Sequence, residues 1–393
     1  MPIHHALVLN FHQPPNNLDD LLETNPWEVK EILFAMDRMP RALWGYEDVA
    51  RVHLSMSGTL LETLSSPEFQ EKVYGVVKVG DLLWQLQNTR LFEILGTGYY
   101  HPVLPLIPKE DWQEQLSRWR GLAQHLFWRE DFGGFWPPEM GFTEELIPLL
   151  KRMGYRYVLV DDVYLEPAEG EMSWPELRYR PHVAEFGGEE IIVIPREREL
   201  SNAQLSGMDP DWFENEVKER TKFCDFEPLV TTASDGDNGG WFRNYTEESN
   251  FWHAFYQPFL NKARLTGEVM PTYIEDYITK HGVGGKVKVK KGAWNTEMHY
   301  GDDFTQWTGT QEQKDALARI HEISDALHFV KSQRKDSSPR NPEHVDYHFG
   351  EAYWRLLRAE TSCNLYWGKA WVQKVHDDLD ASCAELDNAR RGF

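Results

Sequence analysis

One arrangement recurs seven times along this chain and restricts its fold more than any other feature. A short apolar, strand-like run ends in a polar or Gly/Pro-rich segment, and sequence of helical character usually follows. The runs are Ala6–Phe11, Val52–Met56, Phe92–Leu95, Gly134–Trp136, Tyr157–Val160, Ile191–Ile194 and Leu229–Thr232. Strand alternating with helix predicts a parallel sheet. When such a sheet closes, functional groups gather at the C-terminal ends of its strands. The expectation is an α/β fold, a (β/α)7 barrel of distorted TIM-like form over residues 1–296. From about Glu297 the pattern becomes a helical apolar stripe of Leu317, Ile320, Ile323, Leu327 and Val330. A polar linker containing Pro339 and Pro342 separates it from more helical sequence, so residues 297–393 are expected to form a small helical domain.

Composition narrows the partners. The formal charge of −22 argues against nucleic acid and anionic membranes, which need clustered Lys and Arg. The basic run Lys286–Lys291 alternates like a strand with a charged solvent face and reads as solvated surface. No apolar run approaches the ~20 residues of a membrane helix. Ala6–Phe11 is too short for a secretory signal and lacks a basic flank. Three dispersed cysteines show no CxxC spacing, which fits a reducing compartment, so a cytoplasmic protein is expected. Oligomeric state is not legible. Aromatic content is 13%, with 16 Trp, and several of these stand beside polar motifs where a ring could stack on a sugar.

The densest motif runs from Gly133 to Glu145. Glu139 follows Trp136-Pro137-Pro138, whose prolines have fixed φ and no N–H, so its carboxylate is held at a strand end. Two readings stand: a site carboxylate, or an acid complementing a helix dipole. Asp235 and Asp237 lie directly after the seventh run, in Ser234-Asp235-Gly236-Asp237-Asn238-Gly239-Gly240-Trp241. As a pair with Glu139, one of them could serve glycoside cleavage, in which one acid protonates the leaving oxygen and the other group attacks. The alternative for each aspartate is an Asx-turn or helix cap. A calcium loop counted from Asp235 would need a carboxylate at its twelfth position, where Thr246 stands. His12 closes the first run and could donate to a sugar hydroxyl or be a buried, bonded histidine. Glu93 and His101 fit either ligand contact or scaffolding. No HExxH or HxH spacing occurs, and the HxD spacings at His344 and His376 read as surface. No metal or cofactor is expected.

These motifs together resemble glycoside hydrolase family 57 over nearly the whole chain. His12-Gln13-Pro14 is similar to that family's first motif, Glu93 to Pro105 to its second, and Gly134 to Gly141 to its third. Ser234 to Trp241 resembles the fourth and Leu356 to Ser362 the fifth. The resemblance implies a (β/α)7 barrel with a helical domain, an oligosaccharide or polysaccharide substrate of the α-glucan class, and a retaining double displacement without metal. It also implies Glu139 as nucleophile and Asp235 as acid/base, with His12, Glu93, Trp136, Asp237 and Trp241 around the sugar. Three departures bear on acceptor specificity: Asp237 stands where many members carry a glutamate, Asn238-Gly239-Gly240 replaces a bulkier stretch, and Cys363-Asn364-Leu365-Tyr366-Trp367 follows the fifth motif where a Ser-Asp-Trp-like sequence is common. An amylase-like hydrolase of α-1,4-glucans is the first expectation. A 4-α-glucanotransferase, a branching-type transglycosylase and a non-catalytic carbohydrate-binding protein are the alternatives.

Overall fold

The computed structural model describes residues 1–244, 246–294, 304–336 and 342–391, with backbone only at 334–336. The expected domain border at 296/297 and Pro339 lie outside these residues. The chain divides into two compact units, and the division is not a single cut. One unit holds 1–97, 120–136 and 143–290. The other joins 98–119 and 137–142 to the chain from 291 onward.

The first unit is α/β. Its strands are β1 (Ile3–Phe11), β2 (Val52–Met56), β3 (Phe92–Leu95), β4 (Gly134–Phe135), β5 (Tyr157–Asp161), β6 (Leu165–Pro167), β7 (His182–Phe186), β8 (Glu189–Arg196), β9 (Leu229–Asp235), β10 (Val269–Pro271) and β11 (Val287–Val289). All seven expected runs are strands. β1 lies between β9 and β2, with β3 beyond β2, all parallel; β10 takes the same edge of β1 as β2, lower down at Ile3–His5. A second sheet runs β4-β5-β8-β7, parallel except for the β7–β8 hairpin. Between the sheets, Trp136 N donates to Gly96 O at 2.7 Å and Glu197 N to Thr231 O at 2.9 Å. β1 and β2 are buried almost throughout, as parallel strands covered on both faces must be.

The basic run behaves as read. Lys286, about half exposed, pairs with Glu185 and Glu190 at 2.7 Å each, and Lys290 pairs with Glu166. No described helix is long and apolar enough to cross a membrane.

The second unit is mainly helical, with helices Gln311–Asp336, Pro342–Ala359, Ser362–Tyr366 and Lys369–Arg390. The stripe Leu317, Ile320, Ile323, Leu327 and Val330 is buried in its core, against Leu356, Leu357, Val375 and Leu379 among others. One expectation needs correcting. Asp378, read as surface with His376, is only 7% exposed and accepts Arg358 Nε at 3.0 and 2.9 Å. Sequence spacing could not show that Arg358, one helix away, would cover it.

This unit also buries two carboxyl groups side by side. Asp111 accepts Ser324 Oγ at 2.6 Å and Tyr353 OH at 2.9 Å, and lies 2.8 Å from His328 Nε2. Glu360 accepts Gln115 Nε2 at 2.7 Å and bonds to Asp111. Burial, then the Asp111 charge, push the Glu360 carboxyl well above its ordinary range against the pull of Gln115. A raised folded value means that the neutral form is the native one. Its contribution to stability is complete in acid and is lost as pH rises through the folded value. Glu360→Gln supplies a neutral isostere whose amide can still donate to Asp111. The variant should therefore melt above wild type at neutral pH and level with it below the ordinary glutamate range. Equal melting curves at every pH would show that Glu360 is not held protonated.

Candidate active site

Glu139 belongs to the second unit, in a tight 3-10 turn begun by Pro138. Its backbone is left-handed (φ 57°), as are those of the next residue, Met140 (φ 52°), and of His101 (φ 54°). Such conformations cost non-glycine residues about 1–3 kcal/mol each and persist only where the surroundings impose them. Here Phe142 and Gly292 exchange backbone hydrogen bonds at 2.9 and 3.2 Å, and Trp294 N donates to Glu139 O at 3.0 Å. The effect is to aim the carboxylate at three polar groups of the same unit. Ser362 Oγ donates to Oε1 at 2.7 Å and Trp294 Nε1 to Oε2 at 2.9 Å. His101 Nδ1 lies 3.2 Å from Ser362 Oγ and 3.5 Å from Glu139 Oε1. Burial alone would raise the Glu139 carboxyl, but His101, Ser362 and Trp294 outweigh it and hold the group below its ordinary range. The side chain keeps 15% of its surface. It is an oriented carboxylate whose surroundings favour the ionised form.

The aspartates belong to the first unit. Asp235 ends β9 in register with Asn10 of β1, whose Nδ2 donates to Oδ1 at 3.1 Å. Gly236 follows with its amide on Asn10 O at 2.8 Å. A Cβ there would stand 2.5 Å from Phe11 Cζ, so only glycine lets the loop lie this close to β1. Asp237 is buried and accepts Gln13 Nε2 at 2.8 Å, and Asn17 steadies that glutamine at 2.8 Å. The Arg243 guanidinium donates to the Asp237 carbonyl. Burial, then the charge of Asp235, push the Asp237 carboxyl up to about 7, with Gln13 and Arg243 opposing. The cap of the following short helix is Asn238, whose Oδ1 accepts Gly239 N at 3.2 Å. Asp161, another strand-end acid, is taken up by Arg198 Nε at 3.1 Å and Arg196 Nη1 at 3.3 Å.

The remaining expected site residues fall into two groups. His12, at the end of β1, shares a hydrogen bond with Ser57 Oγ at 2.9 Å, and Trp241, partly buried, meets Phe251 edge-on at 5.3 Å. Glu93 sits two residues lower in register than Asp235, through His53 and Val8. It accepts Tyr157 OH at 2.5 Å. Trp136 is 0% exposed. Sequence reading missed Trp294 altogether. Its only signal was a tryptophan shortly after a short strand, which does not mark a contact with a residue so far back in the chain.

The sequence profile of glycosyl hydrolase family 57 matches residues 23–290. The chain is 36% identical over 198 residues to an alpha-amylase of Pyrococcus furiosus, covering 49% of this chain and 26% of that protein. It is 32% identical over 155 residues to a 4-alpha-glucanotransferase of Thermococcus litoralis, covering 38% and 21%. The match thus spans about a quarter of the length of these curated relatives. Its fold is shared with an alpha-amylase of Thermotoga maritima, at a TM-score of 0.73 over 100% of this chain and 93% of that one, with 15% identity. With a family profile running through β2 to β11 and the shared fold extending over the rest, this chain belongs to glycosyl hydrolase family 57.

Proposed function

We propose that the chain is a retaining enzyme acting on α-1,4-glucans, with Glu139 as nucleophile and Asp235 as acid/base. The observation that carries this is the ionised Glu139, oriented by Ser362, Trp294 and His101. In the first displacement Glu139 attacks the anomeric carbon while Asp235 gives its proton to the departing glycosidic oxygen. In the second, Asp235 takes a proton from water or a sugar hydroxyl, which attacks the same carbon and releases Glu139. His12, Asp237 and Trp241 contact the sugar. Glu93 and Trp136 act as support, since Tyr157 OH and His53 Nε2 take up the two oxygens of the Glu93 carboxylate and the Trp136 ring is fully buried.

The frame of this reading is a (β/α)7 barrel of β1–β5, β8 and β9 together with a helical domain. Support comes from the Trp136–Gly96 and Glu197–Thr231 hydrogen bonds, which continue the pairing from β3 to β4 and from β8 to β9. The place of action is the cytoplasm, on the dispersed cysteines.

Product analysis on maltooligosaccharides tests the reaction. Shorter products alone mean hydrolysis, the first expectation; a ladder of longer and shorter chains means transfer, and new branch points a branching enzyme. No change of any kind would remove the α-glucan claim. The pH profile tests the loop. Burial and the charge of Asp235 disfavour a second ionised carboxyl, so below about 7 the Asp235/Asp237 pair keeps one proton, and that proton leaves through Asp235 as the glycosidic oxygen departs. We expect kcat/KM to fall as pH rises through that value, and Asp237→Asn to lack this alkaline limb. A limb unchanged in the variant would assign the titration to another group.

A further inference from the structure

At the N-terminal ends of the strands, the first unit brings together two imidazoles and a carboxylate that the glucan chemistry does not use. His4 is the second residue of β1, Glu227 lies two residues before β9, and His281 ends the helix Ile274–His281. The geometry points to a transition-metal site of the zinc type, formed by His4 Nε2, His281 Nε2 and Glu227 Oε2. These three atoms lie within 4.8 Å of one another. His4 Nε2 is 2.9 Å from Glu227 Oε2, and His281 Nε2 is 3.5 Å from the same oxygen.

Three observations favour a cation over a simple hydrogen-bonded cluster. The His281 contact is too long for a hydrogen bond, and that buried nitrogen makes none among the described residues. A metal would satisfy it. Tyr277 packs against both imidazoles, stacking on His281 at 4.6 Å and meeting His4 edge-on at 5.3 Å, and its hydroxyl holds the backbone carbonyl of Glu227. Finally, His281 stands at a helix C-terminus, where the backbone dipole favours positive charge. Lys280 Nζ lies 3.9 Å from Glu227, but its side chain is 68% exposed and free to swing into solvent. Two imidazoles and one carboxylate, with water completing a tetrahedron, suit zinc better than calcium or magnesium. β9 places this cluster roughly 20 Å from Asp235 by strand rise. The ion would therefore tie the starts of β1 and β9 to the helix and would take no part in glycosyl chemistry.

The test is calorimetric titration of the chelator-treated chain of residues 1–393 with Zn2+. One equivalent should bind to wild type and to His348→Ala, which removes a histidine–glutamate pair of the other unit. His281→Ala should weaken binding at least about tenfold, with an unchanged far-UV spectrum. Zinc should raise the melting temperature of wild type and not of His281→Ala. On the unaltered protein, zinc X-ray absorption should report two imidazole nitrogens with oxygen. No binding by wild type, undiminished binding by the His4→Ala/His281→Ala double variant, or a sulfur-containing first shell would each overturn the proposal.

Discussion

Glu139→Gln is expected to lower kcat on maltooligosaccharides by about 10⁴–10⁶-fold, the scale on which covalent catalysts lose activity without their nucleophile. The amide has the size of the carboxylate, and its oxygen can accept from Trp294 Nε1 while its NH2 donates to Ser362 Oγ. It needs no change in the turn, because the left-handed backbone at this position is imposed by the Phe142–Gly292 pairing and by Trp294 N. The melting temperature and far-UV spectrum should therefore match wild type while turnover disappears. Residual activity within tenfold of wild type, with the fold intact, would remove Glu139 from the nucleophile's role.

Asp235→Asn should cost about 10²–10⁴-fold, the range general acid–base groups supply, and the loss should depend on the leaving group. A glycosyl fluoride needs no proton to depart, so the first displacement should survive on it and the glycosyl-enzyme should accumulate. Azide, which attacks without a general base, should then restore turnover and give the α-azide, as retention requires. A β-azide product would mean a single inverting displacement. An equal loss on natural and activated substrates, with no response to azide, would show that Asp235 is not the proton donor. Asp237→Asn separates the two aspartates, because it should shift the pH profile and show no azide rescue.

Most of the strand framework was legible because each strand carries its own signal. Ala6–Phe11 and Leu229–Thr232 are apolar runs closed by turn chemistry, and both are strands in parallel register. The β7–β8 hairpin escaped this reading although Gly187-Gly188, at φ 63° and 83°, is a strong two-residue turn signal. Its first strand, His182–Phe186, is less apolar than the runs sought, and its second was already counted alone. β10 has three residues, too few for any period to show, whereas β11 lies in the Lys286–Lys291 run whose alternation reads as a strand.

The site divides in the same way. Glu139, Asp235, Asp237 and His12 can be proposed from local motifs, since a carboxylate after two prolines, or a Gly-flanked acid at a strand end, is visible within ten residues. The burial of Trp136 and the capture of Glu93 by Tyr157 were not visible, because they depend on neighbours in other strands.

The sequence alone determined the order of strands and helices, the turns that end them, and which acids stand at those ends. Dihedral preferences and hydrophobic periods act over a few residues and need no distant partner. Tertiary structure alone decided which acids are ionised, which are neutral and which are already paired. His101, Ser362 and Trp294 lower one carboxyl, burial and Asp235 raise another, and Arg196 and Arg198 hydrogen-bond a third. A carboxylate's charge state depends on the donors and charges within a few ångströms, and folding brings those groups from positions far away in the chain.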